Sequence, residues 1–77
     1  MRERLRRLIA EAVDTSIEEV NPESTMANLE GWDSLNHIKI IVALEEQFGV
    51  TFNDDEIVTV TSVAAIEAVL NGKGVPA

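Results

Sequence analysis

Gly31-Trp32-Asp33-Ser34-Leu35-Asn36-His37-Ile38-Lys39-Ile40-Ile41-Val42-Ala43-Leu44-Glu45-Glu46-Gln47-Phe48 is the stretch on which the reading of this chain turns. Its apolar residues recur at helical spacing, so it forms an amphipathic helix with a serine hydroxyl in the first turn. Asp33 or Ser34 can cap the start, and Gly49 supplies the residue that ends it. A helix start offers free backbone N–H groups and the positive end of the dipole. It can therefore hold a phosphate bonded to the Ser34 hydroxyl. The rest of the chain is too small and too plain for an enzyme, so a phosphate-linked group on Ser34 would be its means of action.

The same helix carries two apolar stripes. Ile41, Leu44 and Phe48 lie at i, i+3 and i+7, the spacing of a core-facing stripe. Leu35, Ile38 and Val42 repeat that spacing from another start, and Leu35 lies about 120° round the helix from Ile41. One face cannot hold both. Part of the Leu35/Ile38/Val42 stripe is therefore expected to stay exposed beside Ser34, as a partner-docking surface. The alternative is that Met26 or Leu29 from the preceding loop covers it.

Outward from this helix, Leu5, Leu8, Ile9, Ala12 and Val13 mark a first amphipathic helix over about residues 3–14. Thr15 to Trp32 loses the period and contains Asn21-Pro22 and Gly31, while Ile17, Val20, Met26 and Leu29 supply apolar anchors. This is a long ordered crossover. After Gly49, Val50-Thr51-Phe52 leads to Asn53, which caps a brief helix over Asp54–Val58. The acids Asp54, Asp55 and Glu56 sit in its first turn, where the dipole favours them. Thr61 or Ser62 caps a last helix from Val63 to Leu70, stopped by Asn71-Gly72. The expected fold is all-α: three main helices and one short one in a small bundle, with a long loop between the first two. It spans residues 1–77 as one domain, with residues 1–2 and 73–77 as frayed ends.

Composition narrows the function. Seventy-seven residues without a cysteine allow neither a disulfide framework nor a thiolate metal site. The core leaves little room for a deep substrate pocket. No secretory leader is expected, since the N-terminal arginines lack the apolar stretch that one needs after them, and the longest uninterrupted apolar run, Ile40 to Leu44, is far short of a membrane span. A cytoplasmic monomer is expected. The formal charge of −8 is unevenly spread, with four arginines against Glu3 in residues 1–10 and Lys39 and Lys73 against thirteen carboxylates thereafter. An acidic body repels nucleic acid and favours basic protein surfaces.

Each candidate residue has a plainer role to set against the sharper one. Ser34 alone is most simply a cap. His37 lies one turn from it with Asp33 nearby, yet one helix does not give such a pair triad geometry and no oxyanion hole is evident. His37 is read as an exposed polar residue or a partner contact. Trp32 is read as a half-buried loop anchor. Asp54-Asp55-Glu56 lacks the spacing of a calcium loop and is read as a solvated helix start, with no metal site. Arg2, Arg4, Arg6 and Arg7 are read as a solvated face of the first helix.

Taken together, Asp33-Ser34-Leu35 at a helix start, Ala43-Leu44-Glu45-Glu46-Gln47-Phe48, Asp54-Asp55-Glu56 and Thr61-Ser62-Val63 resemble an acyl carrier protein, in order and without gaps from Gly31 to Gly72. The resemblance implies a non-catalytic carrier with no catalytic residues of its own. A phosphopantetheinyl transferase would attach 4′-phosphopantetheine from coenzyme A to Ser34, with Asp33 assisting through the transferase's metal ion. The terminal thiol would carry acyl groups as thioesters to loading, condensing or acyl-transfer enzymes of fatty-acid, lipid or polyketide-type biosynthesis. By the same resemblance, Leu35, Ile38 and Val42 dock partners, while Glu45, Glu46, Asp54, Asp55 and Glu56 meet basic partner surfaces. The acyl chain would slip between helices lined by Leu44, Ile57 and Ala65. Asn36, His37 and Lys39 stand where fatty-acid-type carriers have acids. Lys39, at a partner-binding position, would repel a basic partner, which suggests a dedicated carrier with its own enzymes. The alternatives are a peptidyl or aminoacyl carrier, or an unmodified helical interaction module.

Overall fold

Leu5, Leu8, Ile9 and Ala10 all turn inward from the first helix, α1 (Glu3–Ala12), and begin the core of a computed structural model that describes residues 3–75. α1 stops two residues earlier than its apolar spacing suggests. Asp14 takes a left-handed backbone (φ 59°), its N–H donating to the Glu11 carbonyl and that of Thr15 to the Ala10 carbonyl. This is a Schellman ending built on Asp rather than Gly. Its geometry leaves Val13 outside the helix yet still buried.

The crossover is ordered, as its anchors imply. It holds a short 3₁₀ turn, Ile17–Glu19. Val20 and Leu29 are buried, and Ile17 and Met26 are partly so. Farther on, Thr25 and Ser62 form an antiparallel bridge, with the Met26 N–H donating to Thr61 O (2.8 Å) and the Val63 N–H to Ser24 O (3.0 Å). The loop is thereby fastened to the start of the last helix.

α2 (Ser34–Phe48) lies against α1 and buries His37, Ile40, Ile41 and Leu44. Gly49 ends it in the left-handed region (φ 67°), as expected. α3 (Asp54–Thr59) is a short helix with no buried side chain. Asn53 and Glu56 close a reciprocal capping box at its start, each side chain accepting the other's backbone N–H. α4 (Val63–Gly72) is capped by the Ser62 hydroxyl and buries Val63, Ile66 and Leu70. It runs through Asn71-Gly72, the expected stop. The chain reverses instead at Gly74 (φ 80°), where the Gly74 N–H donates to Asn71 O and the Val75 N–H to Leu70 O. Lys73–Val75 is thus part of the helix ending rather than a frayed tail, and the fraying expected of 1–2 and 76–77 lies outside the described residues.

The arginines of α1 are not simply a solvated face. Arg6 donates from Nε to Val20 O and from Nη2 to Ile17 O, both at 3.0 Å, holding the 3₁₀ turn. Arg4 donates to the Gln47 carbonyl at the end of α2, and its guanidinium lies 4.6 Å from the centroid of the Phe48 ring. There the cation meets both the negative end of a helix dipole and an aromatic face. Arg7 faces Glu3 across an exposed gap of 3.7 Å, which contributes little.

Candidate functional site

Asp33, not Ser34, caps α2. Its backbone is extended and Oδ1 accepts the Asn36 N–H at 2.8 Å, while Asn36 Nδ2 donates back to Gly31 O at 2.7 Å. Ser34 is therefore the first residue inside the helix, solvent-exposed, and its hydroxyl has no hydrogen-bond partner among the described residues. The N–H groups of Ser34 and Leu35 likewise have no acceptor there. A free hydroxyl beside two free N–H donors at a positive helix end suits a phosphodiester on the serine oxygen.

The apolar stripe beside it is uncovered. Leu35 is 69% exposed, Ile38 50% and Val42 48%, while Leu29 and Met26 turn into the core instead of lying over them. Val58 of α3, also 69% exposed, is a further apolar residue on the outside. Sequence reasoning passed it over because a six-residue helix gives too few turns to define a stripe. Lys39 is exposed and has no acid at i±3 or i±4 to pair with.

The acids divide by use. Glu46, Asp54 and Asp55 are exposed with no side-chain partner among the described residues. Glu45 is half-buried, its Oε2 accepting the Phe52 N–H at 2.9 Å, so it holds the α2–α3 connection. Glu56 receives the Asn53 N–H and the Lys73 ammonium, both at 3.0 Å. The Asn53 N–H, then Lys73, hold its carboxyl below the ordinary range. Among the described residues, no group of acids or histidines could hold a metal ion.

His37 corrects the expectation of an exposed polar residue: it is only 6% exposed. Its ring lies 6.1 Å, centroid to centroid, from that of Trp32, which is buried rather than half-buried. Trp32 Nε1–H donates to His37 Nδ1 at 3.0 Å, and His37 Nε2 lies 2.7 Å from the Ile57 carbonyl. Indole N–H is a donor only, so Nδ1 must accept. The hydrogen is then on Nε2 and donates to Ile57 O. A signal for this was present, since 37, 41, 44 and 48 fall on one helical stripe. An open groove of about 970 Å³ by Asp14, Glu19, Asn28 and Glu30 is not lined by Ser34.

A four-helix domain with a free serine at the head of its second helix and an uncovered apolar stripe beside it is an arrangement that suits a carrier of a tethered group. The comparisons say which. The family described as "Phosphopantetheine attachment site" matches residues 3–70. Acyl carrier protein 3 of Ralstonia nicotianae is 34% identical over 76 residues, covering 94% of this chain and 87% of that protein. The acyl carrier protein of Nitratidesulfovibrio vulgaris is 37% identical over 70 residues, covering 90% of this chain and 92% of that one. The chain belongs to the acyl carrier protein family, whose members are non-catalytic carriers bearing 4′-phosphopantetheine and served by acyl-handling enzymes. No helix among the described residues is long and apolar enough to cross a membrane.

Proposed function

We propose that Ser34 is the attachment point of 4′-phosphopantetheine and that the chain presents acyl thioesters to enzymes of fatty-acid, lipid or polyketide-type biosynthesis. The observation that carries this reading is the exposed, unpartnered Ser34 hydroxyl at the start of α2, left free because Asp33 takes the capping role. When bound, the arm supplies a terminal thiol for thioester cargo, which this cysteine-free chain lacks. One oxygen of Asp33 caps the helix, and its other, without a partner among the described residues, is available to the transferase's metal ion. Leu35, Ile38 and Val42 give partners an apolar footing, with Glu46, Asp54 and Asp55 as charges on its margin. Lys39, among these acids, favours partners whose docking face is not uniformly basic. Tethering raises the effective concentration of cargo at each active site.

The test is intact mass after incubation with coenzyme A, magnesium and a broad-specificity phosphopantetheinyl transferase, with Ser34→Ala in parallel. A gain of one phosphopantetheinyl group on the wild type alone is expected. No gain on folded wild-type protein overturns the reading and leaves an interaction module that binds through the exposed stripe.

A further inference from the structure

We infer that the Trp32–His37–Ile57 relay is a length gate, with His37 the positioning residue that keeps short acyl groups outside the bundle and admits long ones. The inference rests on Ser34 carrying the acyl arm. A chain tethered at Ser34 has two apolar destinations: the exposed Leu35/Ile38/Val42 stripe, or the core behind α2 formed by Ile40, Ile41, Leu44 and Ile66. His37 sits one turn from Ser34 on the inward side, and the Ile57 carbonyl of α3 is bonded to it. Reaching the core on that side means parting α3 from α2.

Apolar packing holds α3 only through Ile57, which is partly buried against the core, and no α3 side chain is fully buried. Besides its adjoining Asn53 cap, two side chains from outside α3 bond to it. Lys73 holds Glu56, but both are about a quarter exposed, so water can replace that pair. The His37 bond is different. His37 and Trp32 are buried, so with α3 displaced and a hydrocarbon in its place the Nε2–H has no acceptor. Leaving one buried donor unmade disfavours the open state by about five- to 150-fold. Each methylene taken from water favours entry by about four-fold. The relay therefore offsets roughly one to four methylenes. Acetyl and butyryl groups stay outside, whereas octanoyl and dodecanoyl groups have methylenes to spare.

The experiment loads the full chain from acetyl-, butyryl-, octanoyl- and dodecanoyl-coenzyme A with the transferase, confirms each by mass, and records isoleucine methyl NMR spectra. In the wild type, the Ile40, Ile41 and Ile66 signals are expected to stay in place with the two short groups and to move with the two long ones. His37→Leu keeps the ring's place filled without its hydrogen bonds, and butyryl should then move those signals. His37→Gln offers one acceptor and one donor, and should keep the wild-type threshold. A merely structural role would lower the melting temperature of His37→Leu without moving the threshold. The gate is overturned if butyryl shifts the wild-type core signals, if no chain shifts them, if His37→Leu keeps the wild-type threshold, or if His37→Gln behaves like His37→Leu. Absence of any mass gain removes the Ser34 reading and this inference with it; loading without a length threshold overturns the gate alone.

Discussion

Gly31→Ala should be the most damaging methyl group that can be added to this chain. Gly31 has φ +91°, and a Cβ built there would lie 2.5 Å from the Val13 carbonyl oxygen, a backbone atom held by the end of α1. Gly49 is the natural control, because it also has positive φ (+67°) but has nothing within 4 Å of a built Cβ. The backbone effect alone, shared by both, costs about 1–2 kcal/mol. The contact with Val13 adds about 1–3 kcal/mol at Gly31, because neither the loop nor the helix end can retreat freely. At roughly 4–8 °C per kcal/mol for a domain of this size, Gly49→Ala should melt roughly 4–16 °C below the wild type. Gly31→Ala should melt roughly 8–40 °C below it, a large part of the stability of so small a core. Thermal unfolding followed by circular dichroism at 222 nm reads both. Melting temperatures within about 3 °C of each other, a gap well under 1 kcal/mol, would refute the close-approach argument.

Three further outcomes follow from the geometry. Asp33→Ala should cost about 1 kcal/mol by removing the α2 cap, whereas Ser34→Ala, which caps nothing, should leave the urea midpoint almost unchanged; equal losses would return the capping role to the serine. Glu56 is held below its ordinary value of 4.5 by the Asn53 N–H and Lys73, so its contribution is complete above that value and disappears as pH falls through the lowered one. The difference in melting temperature between wild type and Glu56→Gln should therefore shrink on acidification, and a constant difference would contradict the assignment. Finally, self-repulsion in a body of net charge −8 should make added salt or millimolar magnesium raise the melting temperature, and a flat titration would disprove it.

The helices were legible where periodicity was long. The fifteen residues of α2 give enough turns to separate a buried stripe from an exposed one, and Leu35, Ile38 and Val42 stay outside as that separation requires. Local capping chemistry was legible too, as at Asn53 and Gly49. Non-local polar contacts were not. Arg6 reads as a solvated charge until the crossover puts the Ile17 and Val20 carbonyls beside it, and Lys73 as a frayed end until α3 brings Glu56 near. His37 was misread because residue type was weighed above register. Its partners, Trp32 Nε1 and the Ile57 carbonyl, come from segments whose approach the helical period does not encode. Gly31 sets the backbone before Ser34 for a similar reason, since the oxygen it must clear belongs to Val13.

The bridge between Thr25 and Ser62 bears on the order in which the molecule assembles. The helices rest on contacts close in sequence and can form early, whereas the bridge joins segments far apart in the chain and must await the closure of a large loop. Once made, it fixes the entry to α4 and one wall of the crossover together. The crossover and the last helix should then open and close as one unit.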